Sequence, residues 1–256
     1  MTVVQLAQLQ GLVGSLLWAM ARVGGLCLTA PIFGDSVLPQ RIRLALMLML
    51  AFVLAPLAPT TIDPMSADGI ATMVSQLLMG AAIGFVLKLA FEAVSLGGQL
   101  VGQSMSLGFA ETVDPRGGGS SPVLSQFYLL VVTLLFLAMN GHLQLISLLA
   151  DSFHALPPGQ PVIDAKSLYA VVSFATHLFG GAVRVALPAM TSLLMVNIGF
   201  AAISRAAPSM NLFAVGFPIT VTLGFVALWL SLHSLPGAFE SLQNSAWSLM
   251  RELAGG

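Results

Sequence analysis

The chain has 256 residues, of which 57% are hydrophobic and 7% charged, and its mean hydropathy is +0.95. Soluble domains average about 25% charged residues, so the composition excludes a water-soluble globular fold. Nine basic residues against ten acidic ones also exclude the positive surface that nucleic-acid binding requires. Apolar segments follow one another without a soluble block between them, so we expect one membrane domain over residues 1–256.

Several stretches approach the length of about 20 apolar residues that a membrane-spanning helix needs. In chain order they are residues 10–32, 44–62, 69–87, 122–150, 167–183, 185–204 and 206–239. Pro188 leaves open whether the fifth and sixth stretches form one bent helix or two, so the count is six or seven. The predicted fold class is therefore all-α, built from polytopic, membrane-type helical hairpins. Six and seven segments place the C-terminus on opposite sides of the membrane, so topology stays open.

Between residues 92 and 122 the hydrophobic pattern breaks and the chain becomes rich in glycine and polar residues. Irregular backbone at membrane depth must be buried in protein or line a cavity, because lipid offers no hydrogen-bond partners. This stretch predicts a pore, a binding site or a subunit interface.

Small residues spaced four apart let helices approach closely in lipid. Two such pairs, Gly80 with Gly84 and Gly98 with Gly102, predict helix packing. Ionisable residues in or near apolar stretches are candidates for a buried charge or an interface. These are Arg22, Lys88, Glu92, Arg184 and Arg205. Amide and imidazole groups within apolar runs predict hydrogen bonds between helices: Gln76, Gln99, Gln103, Gln126, Asn140, His142, Gln144, His177 and Asn197.

The sequence gives little support for catalysis. The four histidines are scattered, and no metalloprotease, nucleophile-elbow or phosphate-loop motif occurs, so we expect a protein that is not an enzyme and holds no metal or cofactor. An intramembrane hydrolase using Ser104 and His177 remains a minor alternative. A small-solute or proton transporter is the main alternative, although Pro188 has no clear counterpart in the other half of the chain.

Three blocks of residues, read in order, resemble one known family. The first holds Arg22, Gly24, Pro31, Phe33, Gly34, Pro39, Arg41 and Arg43; the second holds Phe91, Glu92, Gly97 or Gly98, Gly102, Gln103, Met105, Gly108, Phe109, Asp114 and Pro115. The third holds Leu187, Pro188, Asn197, Gly199, Arg205, Pro208, Asn211, Phe213, Gly216, Phe217 and Pro218. Together they resemble the FliR family of flagellar biosynthesis, which includes the corresponding subunit of virulence type III secretion systems. The resemblance covers residues from about 10 to 235.

The resemblance implies a subunit of a helical export-gate complex in the bacterial inner membrane, at the flagellar basal body. It implies P-type and Q-type gate subunits and a B-type substrate-specificity switch protein as partners, and unfolded secreted proteins as cargo. It also implies that the loop over residues 108–121 plugs the closed channel.

Side-chain chemistry agrees with a plug in one respect. Three consecutive glycines can change conformation without steric penalty, while Phe109 and Val113 are bulky enough to obstruct a channel. The candidate plug and gate residues are Met105, Gly108, Phe109, Glu111, Val113, Asp114, Pro115, Arg116, Gly117, Gly118 and Gly119.

Overall fold

A computed structural model describes residues 3–34, 39–59, 62–105, 107, 123–160, 164–206 and 212–255, and every regular element in these ranges is helical. The all-α fold class is therefore confirmed. The helices are α1 (Val3–Thr29), α2 (Gln40–Leu54, extended by a 3-10 turn, Ala55–Leu57), α3 (Ala67–Ser104), α4 (Val123–Ala138), α5 (Gly141–Ala155), α6 (Ala165–Ser173), α7 (Ala175–Ala206), α8 (Leu212–Ser231) and α9 (Leu235–Leu253).

Within the described residues, four helical stretches are long and apolar enough to cross a membrane. They are Gly11–Thr29, Gln40–Leu57, Ala67–Ser104 and Ala165–Ala206. The bent pairs α4 with α5 and α8 with α9 raise the number to six if each pair counts as one span. The predicted membrane-type helical architecture is confirmed, with four to six candidate spans.

Helix α3 (Ala67–Ser104) is much longer than the apolar stretch 69–87 that predicted it. The expectation of irregular backbone from Glu92 onward is wrong as far as Ser104, because α3 continues unbroken through the glycine-rich sequence. Glycine destabilises an isolated helix by up to about 1 kcal/mol per residue, but close packing against neighbouring helices compensates for that loss.

The predicted segment 122–150 is also wrong as a single helix. The chain bends by 65° between α4 and α5, where Asn140 adopts a left-handed conformation with φ of 56°. Asparagine tolerates this region better than most residues do. Gly141 follows with its Cα against the ring of Phe136, where a larger side chain would collide. The Asn-Gly dipeptide is therefore the local cause of the bend.

Replacing Asn140 by alanine is expected to lower the free energy of unfolding by about 1 kcal/mol. The left-handed backbone conformation costs alanine more free energy than it costs asparagine. Asn140→Gly should be neutral or stabilising. Thermal unfolding of the detergent-purified protein measures both, with Asn244→Ala on the exposed face of α9 as the control. An alanine variant as stable as the glycine variant would refute the role of the left-handed residue.

Prolines mark the other breaks only approximately. Pro188 lies inside α7, and the chain instead departs from a regular α-helix at Phe174, between α6 and α7. Pro236 lies in the first turn of α9, where its missing N–H is harmless, and the 57° bend precedes it at residues 232–234. The predicted segment 206–239 therefore runs across a bend.

Two compact units can be distinguished. The first comprises Met1–Leu89, Phe136–Ala175 and Asn244–Gly256; the second comprises Ala90–Leu135 and Thr176–Gln243. Trp18, Leu26, Ile83 and Phe153 are fully buried in the first unit. The second unit buries Tyr128 and an edge-to-face pair, Phe91 with Phe239, whose ring centroids are 5.6 Å apart.

Candidate functional site

Arg22 lies in the first unit, in the C-terminal half of α1, and is fully buried. Its Nε donates a hydrogen bond of 2.7 Å to Oε1 of Gln76 on α3. Its Nη1 donates to Oγ of Ser152 at 2.9 Å, and its Nη2 donates to the carbonyl oxygen of Leu156 at 2.7 Å. One guanidinium therefore joins α1, α3 and the end of α5. We call Arg22, Gln76, Ser152 and Leu156 the Arg22 node.

All three hydrogen bonds of the Arg22 node go to uncharged oxygen atoms. Leu156 is the C-terminal cap of α5, so the guanidinium lies at the negative end of that helix dipole, which is equivalent to roughly half a charge. The cation also stacks on Phe153, with 4.0 Å between Cζ and the ring centroid. The helix end and the aromatic face together stabilise a charge that would otherwise be costly to bury inside the protein.

The node also fixes the orientation of Gln76. Arginine has only donors, so the Gln76 amide must present its oxygen to Arg22. This leaves Gln76 Nε2 buried with no hydrogen-bond partner among the described residues. The Ser152 hydroxyl, by contrast, uses both its acceptor and its donor: it accepts a hydrogen bond from Arg22 and donates one of 2.6 Å to the Leu149 carbonyl oxygen.

Directly beside the node, α1 and α3 approach each other through glycines. A Cβ at Gly80 would collide with the carbonyl oxygen of Arg22, and one at Gly84 would lie 2.8 Å from the amide nitrogen of Ala30. On the opposing helix, a Cβ at Gly25 would lie 2.8 Å from the Ala81 nitrogen. Such close backbone approach is how helices gain van der Waals contact in lipid. The glycines therefore set the separation at which Arg22 reaches Gln76.

Thr29 adds a hydrogen bond to the same crossing. Its hydroxyl donates to the carbonyl oxygen of Ala81 at 2.9 Å, one turn beyond Gly25. A side chain that bonds across a helix pair adds typically 0.6 to 2 kcal/mol in a membrane. The α1–α3 pair is thus held by glycine contacts, by Arg22 and by Thr29.

In the second unit, the glycine-rich end of α3 packs against two helices. A Cβ at Gly97 would lie 2.8 Å from Cγ1 of Val185 on α7, and one at Gly98 would lie 2.9 Å from the Leu124 carbonyl oxygen on α4. At Gly102 the nearest atom, Cβ of Leu124, would be 3.7 Å away, which is an ordinary contact. Gly97 and Gly98 are therefore sterically required, while Gly102 is not.

Met105 follows the last turn of α3 and is fully buried. It contacts α8 at Gly224, where an added Cβ would lie 2.6 Å from Met105 Cε. The remaining predicted plug residues, Gly108 to Gly119, lie outside the described residues. Met105 thus fixes one end of the segment that leads into the predicted plug.

The other predicted ionisable residues lie on the surface. Lys88 and Glu92 on α3 are exposed, as are Arg184 and Arg205 on α7. Arg184 donates a hydrogen bond of 3.2 Å to Ser241 Oγ. Their exposure leaves them available to an interface, which stays a prediction.

Most of the helices expose large apolar side chains, and α2, α7 and α8 are examples. On α2 these are Ile42, Leu44, Leu48, Met49, Phe52 and Val53; on α7 they include Val183, Leu187, Leu194, Met195 and Ile198; on α8 they include Ile219, Leu223, Phe225, Val226, Trp229 and Leu230. A soluble monomer would not leave such continuous faces uncovered. Lipid or another apolar protein surface must cover them.

Comparison with known proteins agrees with a helical membrane protein whose apolar faces are covered. The profile of the bacterial export proteins, family 1, matches residues 13–246. The chain belongs to this family. The resemblance to the FliR family is confirmed by relatives named "Flagellar biosynthetic protein FliR". The Escherichia coli (strain K12) protein is 37% identical over 238 residues, covering 92% of this chain and 91% of its own.

Two further relatives carry the same name. The protein of Pectobacterium carotovorum subsp. carotovorum is 34% identical over 242 residues, covering 94% of this chain and 93% of its own. The protein of Aquifex aeolicus (strain VF5) is 32% identical over 222 residues, covering 85% of each. Membership of an export family is thus supported along nearly the whole chain.

Sequence reasoning identified Arg22 and Gln76 separately but missed their contact. It did not consider Ser152 or Leu156 at all. A C-terminal helix cap is a weak sequence signal, although Pro157 and Pro158 after Leu156 do indicate that α5 ends there. The available clue was an arginine inside an apolar helix, which requires acceptors supplied by other helices.

Proposed function

We propose that this chain is a structural and transport component of the flagellar type III protein export gate in the bacterial inner membrane. It assembles with P-type and Q-type gate subunits, with the B-type switch protein alongside. Together they form the channel for unfolded flagellar proteins, and the chain catalyses no reaction. Membership of the export family and the printed names of its relatives support the flagellar assignment.

The observation that most favours a subunit interface is the exposed face of α7. Arg184 lies on it between exposed apolar neighbours, Val183 and Leu187. A charged side chain facing lipid at a helix centre costs at least about 2.5 to 3.5 kcal/mol. A protein partner that offers acceptors among apolar side chains removes this cost. We therefore assign the α7 face to a neighbouring gate subunit.

We further propose that residues 108–121 act as the plug. The segment follows Met105, which is anchored against Gly224, so its first residues start from a fixed point. Gly117 to Gly119 give it conformational freedom. A gate for unfolded chains needs both properties, since the plug must return to the same position after each passage.

Deleting residues 111–119 and purifying the complex in mild detergent tests both proposals. We expect the deletion variant to co-purify with the P-type and Q-type subunits, at a complex mass reduced only by the missing residues. Reconstituted into vesicles, it should conduct ions at voltages where the wild-type complex is closed. A variant with residues 111–119 in scrambled order controls for loop length.

The outcomes separate the alternatives. An assembled deletion complex whose ion conductance equals that of the wild type would refute the plug. Recovery of the wild-type chain as a stable single subunit that transports a small solute would refute the gate assignment. That second result would favour the independent transporter.

A further inference from the structure

A groove lies on the first unit between α5 and the last turns of α9. It has a volume of about 430 Å³ and is lined by Gln144, Ser147, Leu148, Asp151 and Ala155 of α5 and by Trp247, Arg251 and Ala254 from the C-terminal end of the chain. This volume falls in the range of small-ligand sites, about 300 to 1,000 Å³. Leu148 and Trp247 are buried and form an apolar wall, while Gln144 and Ser147 expose an amide and a hydroxyl.

Two opposite charges line this groove without meeting. Asp151 and Arg251 are both exposed, and neither side chain forms an ion pair or a hydrogen bond with another described residue. The chain has only ten acidic and nine basic residues, so an acid and a base in one groove are unusual for its composition. A ligand that carries both charges would satisfy both side chains.

The surroundings of the groove indicate its environment. No large apolar side chain of α9 is exposed, and Leu143 is the one such residue on α5. The outer face of residues 244–254 instead carries Asn244, Ser248 and Glu252. By contrast, α2 in the same unit exposes six large apolar side chains. The groove therefore opens into the polar layer beside the membrane rather than into hydrocarbon, and tryptophan is typical of that layer.

We propose that the groove binds the zwitterionic headgroup of an ethanolamine phospholipid. The guanidinium of Arg251 pairs with the phosphate, which matches its planar set of donors. The carboxylate of Asp151 accepts hydrogen bonds from the ammonium group. Gln144 and Ser147 supply further polar contacts, and Leu148 and Ala155 pack against the first carbon atoms of the lipid.

Lipids of matched chain length test the recognition of each charge. The gate complex is placed in nanodiscs of phosphatidylethanolamine, phosphatidylcholine or phosphatidylglycerol, and the lipid retained per complex after delipidation is measured by native mass spectrometry. Phosphatidylethanolamine should bind about tenfold or more tightly than the others. Phosphatidylcholine lacks the N–H donors for Asp151, and phosphatidylglycerol lacks the ammonium group.

Groove variants locate the site. Asp151→Asn and Arg251→Gln should each reduce phosphatidylethanolamine retention about tenfold, while Asp68→Asn and Arg41→Gln, which change exposed charges outside the groove, should not. Equal retention of all three lipids, or unchanged retention in both groove variants, would overturn the proposal. So would loss of a partner subunit from the groove variants with lipid retention intact, since that result assigns the groove to a protein.

A soluble competitor separates the headgroup from its parts. O-Phosphoethanolamine, which has no acyl chain, should displace phosphatidylethanolamine from the wild-type complex, because both charges are present on it. Inorganic phosphate should be much weaker. Equal competition by inorganic phosphate would show an anion site alone and would contradict the role of Asp151.

Discussion

The Arg22→Leu variant should unfold with a free energy at least about 3 kcal/mol below that of the wild type. The substitution removes three hydrogen bonds to a charged donor and leaves the Gln76 oxygen buried without a partner. A buried acceptor without a partner costs about 1 to 3 kcal/mol, and bonds to charged groups contribute about 1.5 to 3 kcal/mol each. Thermal and urea unfolding of the purified chain measures the loss.

Lysine at this position distinguishes charge from geometry. Arg22→Lys keeps the positive charge but replaces a planar donor group with a single ammonium, which cannot reach Gln76, Ser152 and the Leu156 carbonyl together. We expect the free energy of unfolding of Arg22→Lys to fall by most of the amount by which Arg22→Leu lowers it. If lysine were fully tolerated, the charge alone would be what matters, and the three-way geometry would not.

A double-mutant cycle isolates the bond to Gln76. Gln76→Leu alone leaves Arg22 short of one acceptor, whereas the double variant with Arg22→Leu removes both partners. We expect a coupling free energy of about 1 to 3 kcal/mol. Arg41→Leu, at an exposed arginine near the start of α2, is the control and should change stability little. Additive effects of the two node substitutions would contradict the proposed contact.

Gly80→Ala is expected to destabilise the chain by about 2 to 3 kcal/mol, which is large for one methyl group. The added Cβ would meet the carbonyl oxygen and carbon of Arg22 and the nitrogen of Leu26, all backbone atoms, so α1 and α3 would have to separate. Overpacking at a rigid contact typically costs about 1 to 3 kcal/mol. Separation of the helices also pulls Arg22 away from Gln76.

Glycines in open space provide the matched control. Nothing lies within 4 Å of a Cβ added at Gly180 or Gly199. Alanine there should be neutral or stabilise the isolated chain by up to about 1 kcal/mol, because alanine is the better helix former. Equal effects at Gly80 and Gly180 in the unfolding assay would argue that helix propensity, rather than the α1–α3 contact, determines both results.

The helices were predictable because an apolar chain in a membrane has few ways to satisfy its backbone hydrogen bonds. Long apolar runs located α1, α2 and the first part of α3, since each must satisfy its own backbone hydrogen bonds. The bend at Asn140 was not predicted, because the apolar pattern averaged over residues 122–150 hides the effect of the two residues Asn140 and Gly141. Helix α9 was mostly missed for the opposite reason, because its exposed face is polar and its mean hydropathy is low.

The node could be predicted only in part. An arginine inside α1 demanded acceptors, but the residues that supply them depend on helix packing that one sequence does not specify. The glycine pair Gly80 and Gly84 did indicate where α3 would meet another helix, though not which one. The plug assignment rests on family resemblance and stays a prediction.

The connectivity of the Arg22 node has a consequence for biosynthesis. The partners of Arg22 follow it by 54, 130 and 134 residues in the chain. At about 5 to 20 residues per second, the ribosome needs roughly 7 to 27 seconds to reach the last of them. During that interval the Arg22 cation has no partner, and burying it unpaired among apolar groups would be costly. We expect α1 to remain near the lipid–water boundary, or beside the insertion machinery, until α5 has been synthesised. Helix α1 is thus synthesised before α5 but reaches its final position only afterwards.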